Sequence, residues 1–264
     1  MDYRYISLSR RLIEITNIDF ENESANVWAS LTSRELGKTW TEILSNDVSV
    51  ILGTAGSGKT TEMRQQVTRL IADGQNAFLL RLEALQTGLV HDAFDFELEN
   101  QVERFETWKQ SRKGGFLFFD ALDEARLPSS RNESALETAL GIVSQEIGRR
   151  LEPVHVLLTS RPSEWLGDGD ETRLKRFIRQ TTPVRNRTTD SEINITLYRL
   201  SPLSALDVEQ LAISRGVNPS DFINSVNANL SSGLIQQPLD AHIFIDVWKK
   251  AIEAGAVART IETI

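Results

Sequence analysis

The 264-residue chain contains no cysteine. That excludes disulfide frameworks, thiolate metal sites and cysteine nucleophiles, and it fits a reducing compartment. Histidine is scarce too. His91, His155 and His242 are scattered without metal-ligand spacing, which argues against a zinc centre. With 15 glycines and 7 prolines, no stretch reads as a long linker, and there is neither internal repeat nor low-complexity tract. No apolar run approaches the ~18–20 residues of a membrane span. Residues Met1 to Arg11 lack the apolar core of a signal peptide. The expectation is a soluble cytoplasmic protein with no membrane partner. Positive charge is also in deficit: 29 Lys and Arg against 37 Asp and Glu give a formal charge of −8. A mildly acidic chain argues against general nucleic-acid coating, though not against a local basic patch.

What remains is an ordinary globular composition, 40% hydrophobic and 25% charged. Leu36, Trp40, Ile43 and Leu44 mark one face of a helix. Val48–Leu52 is a short apolar run suited to a buried parallel strand. Met63, Val67, Leu70 and Ile71 mark a second helix, stopped by Gly74. Further strands are expected at Ala77–Leu82, Phe116–Phe119 and Val154–Leu158, and a fifth where Ile193, Ile195 and Leu197 alternate. Helices are expected over residues 92–112, with Leu98, Val102 and Phe105 on one side, and along Leu136, Leu140, Val143 and Ile147. Strands separated by helices imply an α/β fold with a parallel sheet. Beyond Leu200 only helices are expected: Ser204–Arg215, capped by Ser204 with Asp207 three positions on, then Pro219–Leu230 and Pro238–Ala254.

The sharpest motif is Gly53-Thr54-Ala55-Gly56-Ser57-Gly58-Lys59-Thr60, which matches G-x-x-x-x-G-K-[ST] between an expected strand and an expected helix. Glycine lets backbone approach phosphate where a Cβ would obstruct. The loop N–H groups and the helix N-terminus favour an anion. Lys59 supplies a cation to the β- and γ-phosphates, the Thr60 hydroxyl is a Mg2+ ligand, and Thr61 is counted with the nucleotide-contacting residues. The competing reading is a glycine-rich turn without function. A loop of this kind reads phosphates, not the base.

A second motif ends the third expected strand: Asp120-Ala121-Leu122-Asp123-Glu124. Ligands of open α/β sheets bind at the C-terminal strand edge. Asp120 there is suited to holding Mg2+, Glu124 to polarising an attacking water as general base, and Asp123 to either task. The alternative is a solvated acidic turn. Thr159-Ser160-Arg161-Pro162 ends the fourth strand, and Arg161 can contact a γ-phosphate or be a surface arginine before a turn.

Together these segments resemble the NACHT branch of the STAND P-loop NTPases. Gly53–Thr60 is similar to its Walker A loop, Phe116–Glu124 to its extended Walker B, and Thr159–Pro162 to its sensor 1. Tyr198–Ser204 resembles the strand leading into the family's first helical domain, and Gln236-Gln237-Pro238-Leu239 its adenine-proximal proline motif. The likeness covers roughly residues 35–250. It implies a P-loop NTPase three-layer sandwich with a five-stranded parallel sheet, its strands ordered 5-1-4-3-2 counting from the amino end. It also implies ATP (or dATP/ADP) with Mg2+, adenine preference through Pro238, slow hydrolysis, and nucleotide-dependent homo-oligomerisation in a longer protein acting in signalling or antiviral defence. The family's winged-helix and repeat domains have no counterpart, so the chain is expected to be a fragment or a reduced relative. The expected division is 1–32 without an assigned role, 33–200 NTPase, and 201–264 helical.

Two features stand outside this likeness. Arg173, Lys175, Arg176, Arg179, Arg185 and Arg187 form a basic cluster, read either as a nucleic-acid patch or, preferably, as a solvated connecting loop. The five tryptophans fall mostly at apolar helical positions and are expected in the core.

Overall fold

The computed structural model describes residues 6, 8, 10–15, 37–86, 88–126, 135–182, 193–228 and 235–253. Trp28, Leu36, Arg185, Arg187 and the side chain of Asp123 lie outside them. The chain forms two compact units. One comprises residues 12–54 and 59–199; the other comprises residues 1–11, 55–58 and 200–264.

The first unit is α/β. Its strands are β1 (Leu12–Ile15), β2 (Val48–Leu52), β3 (Ala77–Arg81), β4 (Gly115–Asp120), β5 (Val154–Ser160) and β6 (Ile195–Leu200), in the order β1-β6-β2-β5-β4-β3. The pairs β6–β2, β2–β5, β5–β4 and β4–β3 are all parallel. Within the sheet these five run β6-β2-β5-β4-β3; the sixth strand, β1, was not expected and adds an edge beside β6. All five residues of β2 are buried, so both faces of this strand are covered. Its one polar member, Ser49, satisfies its hydroxyl by donating to the Ile43 carbonyl at 2.8 Å.

The helices of this unit are α1 (Trp40–Ile43), α2 (Lys59–Ala72), α3 (Leu82–Leu85), α4 (Gln101–Ser111), α5 (Leu122–Arg126), α6 (Ala135–Ile147) and α7 (Asp168–Thr181). Of the helix expected through Leu36, the described residues show one turn, α1, started by Thr39 in a capping box with Glu42. The helix expected over 92–112 is shorter: a 3-10 turn at Val90–Ala93 precedes α4. Its buried face is Gln101, Phe105 and Trp108, while Val102 is exposed. Phe78, Phe94, Phe105 and Trp108 pack as an aromatic group, with Phe78 and Phe105 edge-on at 5.3 Å.

The largest correction concerns the basic cluster. Arg173, Lys175, Arg176 and Arg179 do not sit on a loop; they belong to α7. Leu174, Phe177, Ile178 and Thr181 bury one face of that helix at i, i+3, i+4 and i+7. The cations line its other side, and three of the four pair with carboxylates: Arg173 with Asp170 at 3.2 Å, Lys175 with Glu171 at 3.4 Å, and Arg176 with Glu137 at 2.6 Å.

The second unit is helical in its later part. It contains α8 (Ala205–Ser214), α9 (Pro219–Ala228) and α10 (Pro238–Glu253). Ser204 and Asp207 form the full capping box at the start of α8. Val208, Leu211, Phe222, Val226, Ala241, Ile245 and Trp248 make its own core, with Ile6 and Leu8 packed against it. The four described tryptophans, Trp40, Trp108, Trp165 and Trp248, are all buried.

Candidate nucleotide-binding site

Parallel pairing brings three strand ends to one edge. In register, Leu52 of β2 faces Ser160 of β5, and Phe119 of β4 faces Leu158, which sets Asp120 opposite Thr159. The Gly53 N–H donates to the Ser160 carbonyl at 3.1 Å, carrying the β2–β5 ladder into the loop. Strand spacing then separates the start of the loop from Asp120 by about 10 Å, two intervals across β5.

The loop leaves β2 at Gly53. Gly56 (φ +77°) and Gly58 (φ +91°) are left-handed, a conformation that L side chains rarely adopt. A Cβ on Gly56 would also stand 2.8 Å from the Leu239 side chain, and one on Gly58 3.2 Å from Pro238. Thr54 and Ala55 are exposed and Ser57 is buried. Lys59 opens α2, and its ammonium donates to the Gly53 carbonyl at 2.5 Å and the Thr54 carbonyl at 3.0 Å. The cation is thus held back against its own loop. Thr60 is half-buried on the first turn of α2, and Thr61 is exposed. Pro238, the first residue of α10, lies against the loop tip at Gly58.

At the end of β4, Asp120 is 5% exposed and accepts a 2.5 Å hydrogen bond from Thr159 Oγ1. The same hydroxyl accepts from the Ala121 N–H at 2.9 Å. Ala121 has φ +62°, a strained value for alanine. This corner turns the chain from β4 into α5, which carries Asp123 and the exposed Glu124. Arg161 follows β5 directly and is partly buried.

Among the described residues no three His, Asp or Glu side chains gather as a metal cage. The donor set nonetheless fits Mg2+, which takes few protein ligands and is completed by phosphate oxygens and water. Asp120 and the Thr60 hydroxyl would be the hard oxygen donors for it.

Two buried residues of this region were given no role of their own by the motif reading, although Thr159 opens the segment likened to sensor 1. Thr159 holds Asp120 from the neighbouring strand, and Arg10 reaches the loop from the N-terminal segment. Neither position has a spacing signature, because each acts on residues distant in sequence.

Residues 49–132 match the viral superfamily 1 RNA helicase core domain. That segment holds both the glycine-rich loop and the acidic strand end. No curated protein matches the chain. Solved structures that it resembles include the replication initiator DnaA bound to AMPPCP and single-stranded DNA, at 12% identity and TM-score 0.43 over 87% of this chain and 64% of that one. Domain III of Thermotoga maritima DnaA gives 12% identity and TM-score 0.45 over 95% of both chains. The Aeropyrum pernix ORC2 protein gives 16% and 0.43 over 98% of this chain and 67% of that one. The chain spans less than two thirds of the first of these. The strand order and the glycine-rich loop give this chain an α/β P-loop NTPase-type fold.

Proposed function

We propose that the chain is a cytoplasmic ATP-binding switch of the NACHT and STAND kind that hydrolyses ATP slowly. The observation carrying this reading is Lys59 folded against the Gly53 and Thr54 carbonyls at the end of β2, on the same sheet edge as the buried Asp120. In this reading the loop N–H groups and Lys59 hold the β- and γ-phosphates. Thr60 and Asp120 hold Mg2+, which supplies charge neutralisation at the transferring phosphoryl group when bound. Glu124, with Asp123 beside it, orients the attacking water, and Arg161 stabilises charge on the γ-phosphate. Adenine preference rests on Pro238 and the family likeness. Homo-oligomerisation in the ATP state, within a longer signalling or defence protein, belongs to the same proposal.

Equilibrium binding of ATP, ADP and GTP with Mg2+ tests it, with wild type and Lys59→Ala side by side. Adenine-selective binding lost in the variant is expected; no binding by wild type would overturn the nucleotide reading. Glu124→Gln should keep binding and lose turnover. Unchanged turnover would remove Glu124 from its role.

A second reading is a nucleotide-held scaffold without significant turnover. It is favoured by the division of the chain into two compact units. Mass in solution with ATP and with ADP, at hydrolysis rates no higher than those of Glu124→Gln, distinguishes the two.

A further inference from the structure

The tip of the phosphate loop is held by its carbonyls. Arg10 is 5% exposed and donates through Nη1 to the Ser57 carbonyl at 2.5 Å. Its Nε donates to the Ser201 carbonyl at 2.9 Å, and its Nη2 donates to the same oxygen. The Leu239 N–H donates to the Gly56 carbonyl at 3.4 Å. Arg10 is itself fixed, because its neighbour Arg11 exchanges bonds with Ser201. Arg11 N–H donates to Ser201 Oγ at 3.1 Å, and Ser201 N–H donates to the Arg11 carbonyl at 2.8 Å. All of these residues belong to one compact unit.

The consequence follows from peptide geometry. In a trans peptide the C=O and the next residue's N–H point in opposite directions. The described peptides are all trans. Tying the Gly56 carbonyl to Leu239 therefore turns the Ser57 N–H the other way, and tying the Ser57 carbonyl to Arg10 does the same for the Gly58 N–H. Two successive N–H groups on one side, between left-handed glycines, form a concavity suited to an anion.

We infer that Arg10 is a positioning residue that sets the phosphate-binding peptides of the loop before nucleotide arrives, assisted by the Leu239 N–H. It bonds the back of the loop and needs no contact with phosphate. A planar fork can bridge the Ser57 and Ser201 carbonyls at once, whereas a lysine ammonium is a single point. This inference rests on the nucleotide-binding reading above and deepens it.

The test uses the full chain as wild type, Arg10→Ala and Arg10→Lys, with two readouts. The first is the affinity for ATP·Mg2+ and for inorganic triphosphate, which probes the loop without a base. The second is hydrogen exchange of the loop amides without ligand. Arg10→Ala should weaken both ligands about tenfold, the worth of one charge-assisted hydrogen bond, with KM raised and kcat little changed. Loop amides should exchange faster, and Arg10→Lys should fall between the two. A folded Arg10→Ala with wild-type affinity and wild-type loop exchange overturns the inference. If Arg10→Ala does not fold, wild-type affinity and exchange in Arg10→Lys overturn it. If wild type itself binds neither ligand, the nucleotide reading fails. The brace is then judged by loop exchange alone, where no change in the variants sinks it.

Discussion

Arg150 shows how much one side chain can carry without a motif. It is 1% exposed, and its guanidinium donates to the carbonyls of Trp108 (2.5 Å), Lys109 (2.9 Å), Lys113 (3.0 Å) and Ile147 (3.2 Å). These are carbonyls at or just beyond the ends of α4 and α6, where helices leave acceptors unsatisfied. It also stacks 4.2 Å from the Trp108 ring. Arg150→Met keeps the volume but strands the acceptors, and should cost about 3 kcal/mol. Urea unfolding of wild type and variant measures it; a loss below about 1 kcal/mol would mean that water replaces the guanidinium.

His242 offers a pH test. The Arg215 guanidinium donates to His242 Nδ1 at 3.2 Å, so that nitrogen accepts and the ring is neutral. Burial, then the Arg215 charge, hold its pKa below the ordinary 6.5, and Asp246 opposes them. Below about pH 6.5 the unfolded chain therefore takes up this proton before the folded one, and stability falls as pH falls towards the lowered pKa. His242→Asn, with Oδ1 near the place of Nδ1, should flatten the Tm profile in that window. An equally steep fall in the variant would assign the loss to other groups. Neither Arg10, Arg150 nor His242 could be sorted from surface residues by sequence. A charge that bonds distant backbone carbonyls leaves no periodicity and no spacing.

Elements were legible where one physical rule dominates. The strands β2 to β5 are apolar runs because both sheet faces are covered, and runs of that kind show in any window. The start of α8 was legible because a capping box is local: Ser204 Oγ accepts from the Asp207 N–H at 2.9 Å, and Asp207 Oδ2 accepts from the Ser204 N–H at 2.7 Å. Ser204→Ala should cost about 1 kcal/mol, and Ser204→Asp much less. Thermal unfolding of the two variants reads the difference, and equal losses would show that the hydroxyl is not the cap that matters. The helix α7 was hidden by its own charges. Its apolar positions Leu174, Phe177 and Ile178 have helical spacing, but Asp168, Asp170, Glu171, Arg173, Lys175, Arg176 and Arg179 surround them. Buried Asp170 anchors its first turn by accepting from the Leu166 N–H at 3.0 Å. The strand β1 was missed for the opposite reason: four residues, Leu-Ile-Glu-Ile, are too few for alternation to stand out.

At the scale of the molecule, charge weighs against the reading as a nucleic-acid-stimulated ATPase. The chain carries a formal −8, which repels a polyanion at long range. Against that stands the α7 cluster. On the helix three of its four cations are already engaged: Arg173 and Arg176 both reach Glu137, Arg173 also reaches Asp170, and Lys175 reaches Glu171, while Arg179 is exposed. A phosphate backbone binding there must displace those carboxylates and gains correspondingly less from counterion release than it would on unpaired cations. Labelled single-stranded DNA and RNA titrated at low salt should therefore show no binding that depends on this helix. The triple change of Arg173, Arg176 and Arg179 to Ala should leave ATP turnover within about twofold, since surface changes of this kind are typically worth a few tenths of a kcal/mol. Binding that falls steeply with salt in wild type and disappears in the triple variant would reverse this conclusion and make α7 a nucleic-acid surface, with the Glu137 and Asp170 pairs as the contacts that nucleic acid displaces.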